Sequence, residues 1–247
     1  DERLDNPVAL KQLTAPPNLG QPAIDAMHRA FEREAKILSR LHHQSLPKVS
    51  DHFADPAGQF LVMSFFAGPD MAGLLQQRGG PFPLTDVLEW TDQLLGALEY
   101  LHRQDILHRD IKPQNMKLTD DGTMVLLDFG LAKGAAGSHT KTFSSVYAFT
   151  KHYAALEQMQ GMGTNPRSDL YSLAATVYTL LSYELPADAL TRAAALVRSK
   201  PDPLLPLHQV NPQVPHPVSD VLMQTLAQDD TVRPPDAATL RAMLRGA

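Results

Sequence analysis

His108-Arg109-Asp110-Ile111-Lys112-Pro113-Gln114-Asn115, answered downstream by Asp128-Phe129-Gly130, carries most of the information in this 247-residue chain. Asp110, Asn115 and Asp128 are three oxygen-bearing side chains. Between them lie two short apolar runs, Met116 to Leu118 and Met124 to Leu127, joined by the turn signal Asp120-Asp121-Gly122. Such a β-ribbon returns the chain on itself, so the three oxygens can converge. Carboxylate and amide oxygens suit Mg²⁺, which takes few protein ligands and completes its shell with water and phosphate. Lys112 adds positive charge beside Asp110, of use where a phosphoryl group carries negative charge. A lone His-Arg-Asp would read as a solvated polar loop; the full constellation does not.

The flanks predict a mainly helical lobe. Upstream, Leu84 to His102 is amphipathic, with Val87, Leu88, Leu94, Leu95, Leu98 and Leu101 on one stripe and Thr85 as the expected N-cap. Downstream, Asp128 to Tyr153 has little periodicity and much Gly, Ser and Thr, the mark of a functional or disordered loop. Ser168 to Leu181 is apolar on nearly every face and predicts a central buried helix. Helices near 187–199, 217–228 and 236–245 follow, with Pro201 to Pro217 read as a surface connection. Before Gly68-Pro69 the character differs. Asn6 to Leu13 reads as a strand and Ile24 to Leu41 as a helix, with Ile24, Met27, Phe31, Ala35, Leu38 and Leu41 at helical spacing. Val49 to Phe53 and Phe60 to Phe65 read as strands around Asp55-Pro56-Ala57-Gly58. The expected class is α+β: a small N-terminal sheet with one helix, then a larger helical lobe, the two sharing a cleft.

Composition narrows the function. Lys+Arg is 22 and Asp+Glu is 27, giving a net charge of −5, which argues against a nucleic-acid binder. Absence of Cys excludes disulfides, thiolate metal sites and thiol catalysis. No apolar run has the length of a membrane span, and no signal peptide opens the chain.

These motifs resemble the eukaryotic-like protein kinase family, specifically bacterial serine/threonine kinases, from about Val8 to Leu244, and imply a bilobal protein-kinase-like fold. One catalytic domain is expected over 1–247, with 1–66 the partial N-lobe and start of the hinge and 67–247 the C-lobe. The resemblance implies ATP and Mg²⁺ as cofactors. It implies that Asp110 accepts or orients the substrate hydroxyl proton, that Asn115 and Asp128 hold Mg²⁺, and that Lys112 contacts the transferred phosphate. Lys112 together with Thr150 is the serine/threonine-type pattern. Val8-Ala9-Leu10-Lys11 resembles the strand whose lysine holds the α- and β-phosphates, with Ala9 over the adenine. Its acidic partner falls at Glu34 rather than Glu32, which lies about 200° away around the helix. Met63 takes the gatekeeper position, and Ser64, Phe65 and Phe66 supply backbone groups for adenine. Asp70 sits where the family has a ribose-contacting acid, or caps a loop. Lys117 occupies the adenine-floor position, where most members have Leu; its stem is expected to cover the ring while its amine reaches water. Glu157 and Arg233 match the ion pair that ties down the activation segment, and Asp169 the anchor of the catalytic-loop backbone. Arg109 is expected to pair with a phosphate on Thr140, Thr142, Ser144 or Ser145, placed there by autophosphorylation with dimerisation as one route.

Two departures qualify this. The usual A-P-E is Ala155-Leu156-Glu157. The Gly-rich phosphate-covering loop should precede Val8, yet none of the residues before it is Gly and the chain opens at Asp1 without Met. The expectation is therefore a fragment lacking the first two strands, and a poor kinase as it stands because the amides of the phosphate-covering loop are absent. The implied activity is transfer of the ATP γ-phosphoryl group to Ser or Thr of protein substrates, in the cytoplasm for this domain. A pseudokinase scaffold is the alternative, and a small-molecule phosphotransferase of related fold a third reading.

Overall fold

The computed structural model describes residues 7–14, 20–56, 58–128 and 151–247. The small lobe is built from β1 (Val8–Leu13), α1 (Gln21–Leu38), β2 (Val49–Asp55) and β3 (Gly58–Ser64). The strands form an antiparallel sheet in the order β1-β3-β2, and the register sets Ala9 opposite Met63 and Lys11 opposite Leu61. α1 lies on this sheet through Phe31, Glu34, Ala35 and Leu38. The periodicity predicted it over 24–41, three residues too far along at both ends. Gly20 is the N-cap and Pro22 stands in the first turn, where its fixed φ suits a helix start. Leu41 keeps its burial from a turn beyond the helix end, where its N–H donates to the carbonyl of Leu38 at 3.1 Å.

The larger lobe begins with α2 (Met71–Arg78), eight residues with a weak apolar stripe that the sequence reading passed over. α3 (Leu84–His102) has the expected bounds, but its N-cap is Pro83, not Thr85. The Pro83 carbonyl accepts the first helical bond, from Val87 N–H at 3.2 Å, and Thr85 lies inside the first turn with its hydroxyl on Asp86. β4 (Met116–Leu118) and β5 (Met124–Leu126) form the expected ribbon, with Gly122 at φ 83° in the turn. Six further helices follow among the described residues: α4 (Leu156–Met159), α5 (Pro166–Ser182), α6 (Ala189–Val197), α7 (Leu207–Val210), α8 (His216–Thr225) and α9 (Ala237–Arg245).

α5 is the central one. Every residue from Ser168 to Leu181 is buried, and the hydroxyls of Ser172, Thr176 and Thr179 bond back to the carbonyl one turn earlier. That satisfies polar groups which would otherwise be costly inside a core. α3 packs on α5, and Leu94, Leu95, Leu98 and Leu101 of its stripe are buried, while Leu88 is only partly buried. Truncating one of the buried leucines to Ala should cost about 2–5 kcal/mol. The stretch Pro201 to Pro217 is not merely a surface connection: it buries Leu204, Leu207 and Val214 and contains α7. Among the described residues no helix is long and apolar enough to cross a membrane. The lobes are stitched along their seam, where Leu126 N–H donates to Ser45 O at 2.9 Å and His42 N–H to the Tyr100 hydroxyl at 2.9 Å.

Candidate active site

The loop between α3 and β4 is held from beneath by Asp169, in the first turn of α5 and 2% exposed. Its Oδ2 accepts from His108 N–H at 2.9 Å and lies 2.9 Å from His102 Nε2; its Oδ1 accepts from Arg109 N–H at 2.8 Å. Arg109 has φ 67°, a left-handed conformation that costs a non-Gly residue energy and survives only where its surroundings enforce it. Asp169 on one side and Gln158, which donates to Arg109 O at 2.7 Å, supply that enforcement. His108 is fully buried. Its Nδ1 accepts from Asp110 N–H at 3.3 Å, so Nε2 carries the proton and donates to Leu127 O at 3.0 Å. Burial pushes the His108 pKa down, against the pull of Asp169 and Asp110, which favours the neutral ring this pairing needs.

This platform presents Asp110. Lys112 Nζ is 3.1 Å from Asp110 Oδ2 and 3.3 Å from Oδ1. Asn115 donates through Nδ2 to Asp110 O at 2.7 Å and to Asp110 Oδ2 at 2.9 Å. With its nitrogen so engaged, the Asn115 amide oxygen faces away from the carboxylate. Leu127 N–H donates to Asn115 O at 2.7 Å, which ties the far end of the ribbon back to the loop. Asp128 follows at φ 52°, with its side chain 58% exposed and 3.9 Å from Lys11 Nζ. Lys11 reaches Glu34 at 3.3 Å. Glu34 is buried, whereas Glu32 is exposed. Burial raises the Glu34 pKa, and the nearby Lys11 ammonium opposes that rise.

The structure thus brings Asp110, Lys112 and Asn115 into one cluster and Lys11, Glu34 and Asp128 into another. Met63 lines a cleft with Lys11, Pro47, Val49 and Asp128. Ser64 is fastened to Lys48 O through its N–H at 3.0 Å; Phe65 is half exposed. Asp70 N-caps α2, accepting from Gly73 N–H at 2.8 Å. The half-buried Lys117 turns its amine onto backbone that the sequence does not point to: it donates to Phe66 O at 2.6 Å and to Gly68 O. Two carbonyls lie within its reach, and its bonds to them are charge-assisted.

Farther out, Arg233 reaches both oxygens of Glu157, at 2.8 and 3.2 Å, with Ser168 Oγ on the same carboxylate at 2.6 Å. Arg109 Nε donates to Thr164 Oγ1 at 3.0 Å. Thr140, Thr142, Ser144, Ser145 and Thr150 lie outside the described residues. The sequence reading missed His102, Gln158 and Thr164 as supports of the loop. None belongs to a local motif, although the position of His102 at the end of α3 was visible.

Comparison with known proteins agrees with this arrangement. The family model "Protein kinase domain" matches residues 3–242, and the chain belongs to that family. The serine/threonine-protein kinase PknL of Mycobacterium bovis is 37% identical over 186 residues, covering 75% of this chain and 45% of PknL. A probable serine/threonine-protein kinase of Clostridium acetobutylicum is 29% identical over 196 residues, covering 79% of this chain and 30% of the relative. The chain therefore spans less than half the length of these relatives. Among solved structures, PpkA-294 in its apo form superposes with a TM-score of 0.79 at 22% identity, covering 99% of this chain and 89% of the other, a likeness of fold alone. The PknI kinase domain of Mycobacterium tuberculosis gives 0.69 at 25% identity, covering 96% and 89%. The fold is the bilobal α+β arrangement of these kinases.

Proposed function

We propose that this chain, as one catalytic domain over 1–247 with lobes at 1–66 and 67–247, belongs to an enzyme that transfers the γ-phosphoryl group of ATP to serine and threonine hydroxyls of proteins. One observation carries the reading: Asp110 stands beside both Lys112 and Asn115 on a loop whose backbone Asp169 holds in a left-handed conformation. Asp110 orients the acceptor hydroxyl and takes its proton as the bond to phosphorus forms. Lys112 offsets negative charge on the group in transfer, and Lys11, aligned by Glu34, holds the phosphates that stay behind. Catalysis is positioning and charge stabilisation, with no covalent enzyme intermediate.

The donor set fits Mg²⁺. The Asn115 amide oxygen is left over by the bonds its nitrogen makes, and the Asp128 carboxylate is exposed beside Lys11. Among the described residues no group of three or more His, Asp or Glu side chains is arranged to hold a metal. Two protein oxygens suit an ion that keeps water and phosphate ligands. Bound there, Mg²⁺ would neutralise phosphate charge. Arg109 is read as the receiver of an activation-segment phosphate and the domain as cytoplasmic, where ATP is supplied.

Asp110→Asn tests the assignment. The rate of phosphoryl transfer from labelled ATP to a generic protein substrate should fall about 100-fold or more, the scale of losing a general base. ADP affinity and the unfolding midpoint should stay near wild type. Retention of most of the rate would remove Asp110 from the chemistry.

A further inference from the structure

Lys117 is the middle residue of β4, in the larger lobe, yet its ammonium is spent on the connection between the lobes. It donates to the carbonyls of Phe66 and Gly68, and stands 5.9 Å from the centroid of the Phe65 ring. Gly68 has φ 81°, and the Gly at this position allows a backbone turn that a side chain would resist. The two carbonyls lie two residues apart and converge on one cation across roughly fifty residues of intervening chain. Each bond is charge-assisted, about twice as strong as a neutral one. The leucine usual at this position in the resembling family could cover a floor, but could not hold either carbonyl.

We propose that Lys117 is a positioning residue for nucleotide binding: it latches residues 66–68 to β4, so that the connection is set before a base arrives. This rests on reading the cleft as a nucleotide site. Flexing of the connection is then left to Phe65, between the end of β3 at Ser64 and the latched carbonyls, and the ordering of residues 66–68 is not deducted from binding energy when the ligand enters. Because Lys117 acts on the backbone near the base rather than on phosphates, its effect should be the same for every ligand that carries the base.

The test is calorimetric titration of the full chain with adenosine, ADP and ATP. Lys117→Leu and Lys117→Met should weaken all three by a common factor of about tenfold. Lys117→Arg, which keeps a cation, should recover most of the affinity. Lys11→Met, by contrast, should weaken ADP and ATP and spare adenosine. Unchanged affinity in the Leu and Met variants, or a loss confined to the phosphate-bearing ligands, overturns the latch. Wild-type protein that binds neither adenosine nor ADP overturns the nucleotide reading itself, and the latch with it. Should the Leu and Met variants fail to fold, the wild-type ¹⁵Nζ resonance of Lys117, assigned by its absence in the Arg variant, decides. A resonance protected from exchange with water already in the ligand-free protein supports the proposal, and one that gains protection only on saturation with adenosine overturns it.

Discussion

Glu34 is a carboxylate kept 3% exposed in the small lobe, 3.3 Å from Lys11. Its burial has an energetic consequence that can be measured apart from its role. Because burial raises its folded pKa above the ordinary 4.5, the folded state keeps a proton that the unfolded chain has already released. Stability therefore falls as pH rises from about 4.5 through the raised value. Glutamine has the same shape and does not titrate. Glu34→Gln should match wild-type thermal stability near pH 4 and exceed it increasingly toward pH 7, in a Tm series across that range. Its kcat/KM should nevertheless fall about 10–100-fold, because Lys11 loses its aligning charge. Combined with Lys11→Met, the losses should be non-additive, since the two side chains form one pair. Fully additive losses would mean the pair does not act as a unit.

α5 shows how one helix couples core and site. Asn165 caps it, accepting from Arg167 and Ser168 N–H while Ser168 Oγ accepts from Asn165 N–H. That reciprocal cap fixes the first turn and with it the direction of Asp169. Asp169→Ala should orphan the His108 and Arg109 amides, at about 1–3 kcal/mol for each unsatisfied buried group. The expected outcome is a loss of about 2–5 kcal/mol in urea unfolding and a drop of roughly 100-fold in turnover, with nucleotide affinity largely retained. Wild-type turnover in this variant would mean that the loop holds its shape without Asp169. The cores of α3 and α5 were legible because apolar spacing over several turns is a strong signal. α2 and α7, with eight and four residues, were not, because so short a pattern barely differs from chance.

The helical lobe is tied together by charges of very different worth. Arg241 to Glu99 and Arg245 to Asp92 join α9 to α3 at the surface, where such pairs contribute about 0–1 kcal/mol. Arg233 and Glu157 are another matter. The Arg233 side chain is fully buried, packs 4.9 Å over the Tyr171 ring, and also donates to the carbonyls of Ala227 and Gln228. Burial acts to raise the Glu157 pKa, but the bonds from Arg233 and Ser168 outweigh it, and the net shift is downward. A depressed folded pKa contributes stability above the ordinary carboxylate value, and that contribution is lost as pH falls through the folded value. The stability gap between wild type and Glu157→Gln should therefore be open at pH 7 and close on acidification. Arg233→Met strands the carboxylate and should cost about 3–5 kcal/mol, while the double variant Glu157→Gln with Arg233→Met should recover part of that loss in chemical denaturation. A double variant no better than Arg233→Met alone would show that packing, not charge, is what Arg233 supplies.

By itself the sequence determined the lobe order, the central helix, the ribbon and the cluster Asp110, Lys112, Asn115. All of these rest on short-range relations: helical or strand periodicity, a turn signal, three side chains within one tight loop. Glu34 was legible through the resemblance, which puts the acidic partner of Lys11 there, and helical geometry sets Glu32 on the opposite face. Only the tertiary structure decided that Lys117 turns its amine onto Phe66 and Gly68, that Arg109 meets Thr164, and that His102 and Gln158 brace the loop. A polar side chain leaving water takes whatever partner the packed chain brings within about 3 Å. When that partner lies 49 to 67 residues away, as in these pairs, no local pattern records which one it will be.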